Sequence, residues 1–248
     1  LMCKSLLQRD FKVVGLSRNN CNNASNHQKL GIEKDVEMRH GDIQSFKTIE
    51  SLIKKYMPDE VYNLAAQSSV GSSFSYPLET TKSIIDGTIN ILEVSKKTNF
   101  TGKLFFAGSS EIFGFTEKGA TINHIQRPIS PYGIAKQASF NLVRMYRKNL
   151  GLKCVTGVLF NHESPLRHHK FVTQKIISGA IKCSLNNKYK IKLGNINIER
   201  DWGCAEEYVE GIQTMTRGKN FKDQVICTGK STKLKDFIQI VFKQLDLN

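Results

Sequence analysis

Lys103-Leu104-Phe105-Phe106-Ala107-Gly108-Ser109-Ser110-Glu111 is the stretch on which the fold turns. Residues 103–107 read as a short buried strand, and a glycine with three polar residues ends it. A helix is expected from about Tyr132 to Asn149, and Val155-Thr156-Gly157-Val158-Leu159 reads as the next strand. Working back from Lys103, Pro77 opens a long helical stretch to about Lys97. Its apolar side carries Ile84, Ile85, Ile89, Leu92 and Val94. Before it come a strand at Glu60-Val61-Tyr62-Asn63-Leu64 and a helix from Thr48 to Tyr56, with Ile49, Leu52, Ile53 and Tyr56 at helical spacing and Pro58 as its stop. Val36-Glu37-Met38-Arg39-His40 and Lys12-Val13-Val14-Gly15-Leu16 read as earlier strands. Strands alternating with helices imply βαβ units and a parallel sheet covered on both faces. No internal repeat or low-complexity tract interrupts the pattern, and Asn186-Asn187-Lys188 marks a surface turn.

The 248 residues suffice for one good core, or a core plus a smaller lobe. Hydrophobic residues make up 40% and charged residues 23%, an ordinary globular balance. No apolar run approaches the roughly 18 residues of a membrane span, so no membrane role is expected. Leu1-Met2-Cys3-Lys4-Ser5 lacks the apolar core of a signal peptide. Cys3, Cys21, Cys154, Cys183, Cys204 and Cys227 are scattered without metal-ligand spacing, which fits free thiols in a reducing cytoplasm. The net charge of +14 fits either lysine-rich solvated faces or attraction of anionic small molecules. The lysines form no dense block and no arginine–aromatic platform, which argues against a nucleic-acid partner.

Ser130-Pro131-Tyr132-Gly133-Ile134-Ala135-Lys136 supplies the chemistry. Residues i and i+4 share a helix face, so the phenol of Tyr132 and the ammonium of Lys136 can enter one pocket. An ammonium nearby stabilises the phenolate, making the tyrosine a base. With the upstream serine and glutamate, this pair could take a proton from a sugar carbinol as its hydride leaves. The alternative is a half-buried tyrosine beside a solvated lysine.

These residues resemble the extended short-chain dehydrogenase/reductases that act on nucleotide sugars. Three further stretches narrow the resemblance: Asn63-Leu64-Ala65-Ala66-Gln67-Ser68, Leu159-Phe160-Asn161-His162-Glu163-Ser164-Pro165, and Leu193-Gly194-Asn195 leading to Arg200-Asp201-Trp202-Gly203. Together they look like the GDP-mannose 4,6-dehydratase family, along nearly the whole chain. The resemblance implies an α/β, Rossmann-like doubly wound parallel sheet with part of a smaller substrate lobe. The division expected is a cofactor domain over residues 1–160 and a substrate lobe over residues 161–248 with return segments to the main domain. Such folds place a glycine-rich turn after their first strand. Here residues 1–9 read as the tail of the first helix, and no GxxGxxG exists. The expectation is therefore a sheet lacking its first strand and glycine loop, internal to the family's full length.

By the same resemblance Ser109, Glu111, Tyr132 and Lys136 are catalytic. Tyr132 takes the C4 hydroxyl proton, Ser109 hydrogen-bonds the sugar O4, and Glu111 moves the C5 proton. The cofactor set is Arg18, Asp42, Ile43, Leu64, Ala65, Ala66, Gln67, Tyr132, Lys136, His162 and Arg167. NADP is favoured because a guanidinium at position 18 suits a 2′-phosphate, although Asn19 stands where a second arginine is usual; separately, after Pro165 the family usually has two arginines, and Leu166 replaces the first of them. Ser68, Ser110, Asn161, Lys175 and Arg200 are the substrate contacts implied, with the two cations suited to the diphosphate of GDP-mannose. A homo-oligomer, dimer or tetramer, is implied, and the short loop from Asn19 to Leu30 puts the tetramer in question. No metal is expected, because His168 and His169 are adjacent, their side chains should diverge, and no carboxylate cluster joins them. Several plainer readings stay open: an Asx turn at Asp42, a loop turn at Ser109-Ser110, a helix start at Glu111 and lobe packing for Trp202. Two other functions also stay open. One is a nucleotide-sugar reductase or epimerase that uses Tyr132 and Lys136 without Glu111, and the other is a truncated, non-catalytic remnant.

Overall fold

The computed structural model describes residues 1–18, 25–117 and 119–247. In chain order the elements are α1 (Met2–Leu7), β1 (Val13–Ser17), α2 (Ser25–Leu30), β2 (Val36–His40), α3 (Phe46–Tyr56), β3 (Glu60–Asn63), α4 (Val70–Ser75) and α5 (Pro77–Lys97). Then come β4 (Lys103–Ser109), a 3-10 turn at Ser110–Ile112, α6 (Pro131–Leu150), β5 (Cys154–Leu159), β6 (Asn161–Glu163) and α7 (Val172–Leu185). The chain continues with β7 (Glu199–Cys204), α8 (Ala205–Arg217), β8 (Gln224–Ile226), β9 (Ser231–Lys233) and α9 (Leu234–Lys243). It divides into two compact units, Leu1–Leu159 with Val209–Ile226, and Phe160–Tyr208 with Cys227–Asn248.

In the first unit every strand pairing is parallel: β1 with β2, and β3-β4-β5-β8 in that order. β5 is buried at all six residues and β4 at five of seven, as expected of strands covered on both faces. Ile49 and Ile53 of α3, Ile91, Leu92 and Val94 of α5, and Val143 and Tyr146 of α6 pack with Leu104 and Phe106 into one core. α3 starts where the Ser45 side chain accepts from Thr48 N at 3.2 Å. It ends on Met57 in the left-handed region, with Pro58 beyond. Two bidentate pairs fix the edges. Arg147 of α6 grips Asp223, whose Oδ1 also accepts from Thr156 N at 2.8 Å and so holds β8 beside β5. Arg217 closes α8 onto Glu60, at 2.8 and 2.9 Å, at the start of β3.

The second unit is a small mixed sheet. β7 is central, parallel to β6 and antiparallel to β9, and α7 packs with α9. The Trp202 indole lies 5.9 Å from the Phe237 ring, in lobe packing. Asp201, buried in β7, accepts from Thr228 N, Thr228 Oγ1 and Gly229 N, pinning the 228–230 turn to the strand.

Two expectations need correcting. The second half of the segment read as the Asn19–Leu30 loop is helical, as α2; it has no apolar stripe to announce it. Asn19 and Cys21 lie outside the described residues. The rings of His168 and His169 do not diverge but sit 4.1 Å apart, because the chain turns at these residues.

Candidate functional site

In the first unit the site is built at the carboxyl ends of parallel strands, where open α/β sheets hold ligands. Arg18, Asp42, Ile43, Ala65 and Ala66 line one cleft of about 230 Å³, with Leu16, Ser17, Gly41 and Ser83. Arg18 is exposed, directly after β1. Asp42 forms an Asx turn, its Oδ1 accepting from Gln44 N at 2.9 Å, while its Oδ2 accepts a long bond from Gln44 Nε2 at 3.5 Å. Ile43 is anchored by Asn90 Nδ2, which donates to its carbonyl at 3.1 Å. Ala66 has φ 140°, a strained conformation for a residue with a Cβ, within the turn that follows β3. Leu64 and Ser68 are exposed on that turn. The Gln67 side chain is turned inward: its amide donates to Ser69 O at 2.8 Å, its carbonyl accepts from Ser69 N, and so it braces the start of α4.

The catalytic candidates stand on β4 and α6. Ser130 begins α6 in extended conformation, its Oγ accepting from Gly133 N at 3.0 Å, and Pro131 fills the first helical position. Tyr132 and Lys136 are then buried on the helix face that turns toward the sheet. Lys136 Nζ donates to Ala107 O at 2.7 Å and lies 5.7 Å from the centre of the Tyr132 ring. Burial pushes the Lys136 ammonium down to about 8, and the carbonyl it touches favours the charged form. Ser109, also buried, caps the 3-10 turn by accepting from Glu111 N at 3.3 Å. Ser110 and Glu111 are half-buried on that turn.

Gly133 joins these two pieces. A Cβ at 133 would lie 2.7 Å from the Glu111 carbonyl oxygen and 3.0 Å from Pro128 Cβ. Only a residue without a side chain lets the first turn of α6 press against the backbone that carries Glu111. The sequence reading passed over this residue, although a glycine inside a helical window is itself a signal of close approach. The glycine thus lays the start of α6, which carries Tyr132 and Lys136, against the turn that carries Glu111.

The second unit carries the other candidates. Asn161 and His162 lie on β6, opposite Trp202 and Gly203 of β7. His162 Nδ1 is 2.9 Å from Phe160 O, and the ring stacks on Tyr208 at 4.7 Å. Burial, and next the Arg167 charge, push the imidazole below its ordinary range; the Phe160 bond and Glu163 oppose this. Arg167 is held from both sides, with Nε 3.5 Å from Glu163 and its guanidinium 3.7 Å from the Phe171 ring centre. Glu163 and Phe171 went unread, though Glu163 stands four residues before Arg167. Lys175 of α7 and Arg200 of β7 are exposed, and Arg200 Nη1 donates to Glu199 O at 2.8 Å. Among the described residues no three His, Cys, Asp or Glu side chains gather as a metal site, and no helix is long and apolar enough to cross a membrane.

Comparison with known proteins follows the same lines. GDP-mannose 4,6 dehydratase 1 of Arabidopsis thaliana is 35% identical over 256 residues, covering 98% of this chain and 70% of the relative. Among solved structures, UDP-glucose 4-epimerase of Thermotoga maritima superposes with a TM-score of 0.88 at 19% identity, covering 100% of this chain and 79% of that one. dTDP-glucose 4,6-dehydratase of Streptomyces venezuelae, with NAD bound, superposes at 0.87, also at 19% identity, over 100% and 77%. Identities this low establish the fold alone. The family model described as GDP-mannose 4,6 dehydratase matches residues 1–248. With that match over residues 1–248, and a relative this similar along 98% of this chain, the chain belongs to the GDP-mannose 4,6-dehydratase family.

Proposed function

We propose that the chain dehydrates GDP-mannose to GDP-4-keto-6-deoxymannose, using a tightly held nicotinamide dinucleotide. The observation that supports this reading is the Gly133 contact, which lays the first turn of α6, with its buried Tyr132 and Lys136, against the backbone of Glu111, the acid/base carboxylate of the proposed reaction. A reductase or epimerase needs the pair but not the carboxylate.

The first-unit cleft fits the adenosine end of such a cofactor. Ala65 and Ala66 leave room for close approach, Asp42 Oδ2 can accept from an amino group, and the exposed Arg18 fork suits a 2′-phosphate. On that fork we assign NADP rather than NAD. The bound nicotinamide would accept a hydride from sugar C4 and return it to C6.

The chain's own residues handle the protons. Lys136, an ammonium at neutral pH, stabilises Tyr132 as phenolate, and the phenolate accepts the C4 hydroxyl proton. Ser109 Oγ hydrogen-bonds the sugar O4 and orients it. Once C4 is a ketone, C5–H is acidic; Glu111 takes that proton and passes it to the C6 hydroxyl, which leaves as water, and a solvent-derived proton is returned to C5 as C6 is reduced. Ser68, Ser110 and Asn161 are assigned to the sugar and nucleotide, and Lys175 and Arg200 to the diphosphate, where cations form charge-assisted bonds. His162 and Arg167 are assigned to the cofactor. A homo-oligomer is expected, with Phe74, Tyr76 and Leu78 exposed at the α4–α5 corner as candidate contacts.

A direct test is to incubate the protein with NADP and a panel of GDP-, UDP- and dTDP-hexoses and analyse products by NMR. GDP-4-keto-6-deoxymannose from GDP-mannose alone is expected. An unreduced C4 epimer, or turnover of another nucleotide sugar instead, would refute the assignment.

A further inference from the structure

The parallel pairing of β6 with β7 sets Gly203 directly opposite His162. A Cβ at 203 would lie 2.3 Å from Cε2 of Tyr208 and 3.1 Å from Thr228 Cγ2. That ring cannot swing aside, because Tyr208 is 3% exposed. The space left by the missing side chain is therefore where the tyrosine ring sits, and the ring lies on His162 with centroids 4.7 Å apart and planes 25° from parallel.

Two constraints then fix the imidazole. Tyr208 sets the plane of the ring. Phe160 O sets which way round it stands: a carbonyl oxygen can only accept, so Nδ1, 2.9 Å away, must carry the proton. In the neutral ring Nε2 is then a lone-pair acceptor, the reverse of the tautomer that free histidine prefers. Among the described residues no hydrogen bond to Nε2 is made.

We propose that Gly203 and Tyr208 are positioning residues that present His162 Nε2 as a fixed hydrogen-bond acceptor for an N–H or O–H donor of the nicotinamide dinucleotide. This rests on the assignment of His162 to the cofactor made above. The tyrosine contributes through its ring face, so its hydroxyl is dispensable. Neither residue touches the reacting atoms.

The test uses the whole protein, labelled with ¹⁵N-histidine, in two measurements. Long-range ¹H–¹⁵N NMR without ligand reads the tautomer of His162. The parent and Tyr208→Phe should both show the Nδ1–H form with an upfield ring-current shift, whereas Tyr208→Leu and the smaller change Gly203→Ala should give a mixed tautomer without that shift. Calorimetry with NADP should then find Tyr208→Phe within about twofold of the parent and the other two weakened about tenfold, the scale of one hydrogen bond. An unchanged Nδ1–H tautomer and ring-current shift in both Tyr208→Leu and Gly203→Ala would overturn the positioning role. Failure of the parent itself to bind a nicotinamide dinucleotide, with the NMR pattern as expected, would overturn the cofactor assignment instead.

Discussion

Gly133→Ala is the substitution that separates the geometry of the site from its chemistry. In a helix, alanine is intrinsically favoured over glycine by about 1 kcal/mol. Against that, the new Cβ would stand 2.7 Å from the Glu111 carbonyl oxygen, 3.0 Å from Pro128 Cβ and 3.2 Å from Ser130 Oγ. An ordinary contact needs about 3.4 Å or more, so the first turn of α6 must retreat from the 3-10 turn by roughly half an ångström or more. Overpacking of this kind costs about 1–3 kcal/mol, so the two effects leave net stability unchanged or lowered by up to about 2 kcal/mol. The same retreat carries Tyr132 and Lys136 away from Ser109 and Glu111 and stretches the 2.7 Å bond from Lys136 to Ala107. Displacement of a reacting group by about 1 Å costs on the order of a hundredfold in rate, and about half that displacement should cost roughly tenfold. Thermal unfolding and kcat on GDP-mannose, measured together, are the assay. A folded variant with kcat within twofold of the parent would refute the claim that Gly133 sets the catalytic geometry.

Tyr132→Phe keeps the ring that packs with Ile84 and Ala135, so the fold should persist while turnover falls by about a hundredfold or more; near-parental turnover would remove the phenolate from the mechanism. Glu111→Gln should block elimination yet leave some oxidation at C4, seen as absorbance of the reduced cofactor at 340 nm without 4-keto-6-deoxy product; normal dehydration would place the C5 proton elsewhere. The Lys136 ammonium is depressed from an ordinary value near 10.5 to about 8 in the folded protein, so the unfolded chain binds the extra proton between those values. Stability should therefore rise with pH through that window, by up to about 3 kcal/mol, with the full penalty present below about 8. Urea unfolding at pH 7.5 and pH 10 should show this rise in the parent and none in Lys136→Met, and equal slopes in the two proteins would contradict it. Arg147→Met should cost about 3–5 kcal/mol by leaving Asp223 buried without its cation, and a loss below about 1 kcal/mol by chemical denaturation would show that the pair does not anchor β8.

The main sheet was readable because its strands carry their own signal. Residues 104–106 and 154–159 are apolar enough to be strands on any pairing, and α3, α5 and α6 repeat apolar residues at helical spacing. The second unit lacks such signals. Asn161–Glu163, Glu199–Cys204 and Ser231–Lys233 are short and polar, and only pairing with one another makes them strands. Convergence of Arg18, Asp42 and Ala65 on one cleft follows from the rule that ligands lie at strand carboxyl ends. What a list of motif residues conceals is how each is held. Gly133 and Gly203 act by leaving out a side chain, Gln67 spends its amide on the backbone of Ser69, and Tyr208 meets His162 only through the fold. Gly133 at least shows as a glycine inside a helical window, but Gly203 and Tyr208 have no local pattern, since each acts through a missing atom or a neighbour distant in sequence.

The most direct measurement follows one label. GDP-mannose deuterated at C4 is incubated with the protein and NADP, and the product is read by ²H NMR and mass spectrometry. Dehydration through Tyr132 and Glu111 should move the deuterium from C4 to C6 within the same molecule, with a solvent proton at C5. Deuterium found again at C4, in an epimerised hexose that keeps its C6 hydroxyl, would contradict the proposed dehydratase.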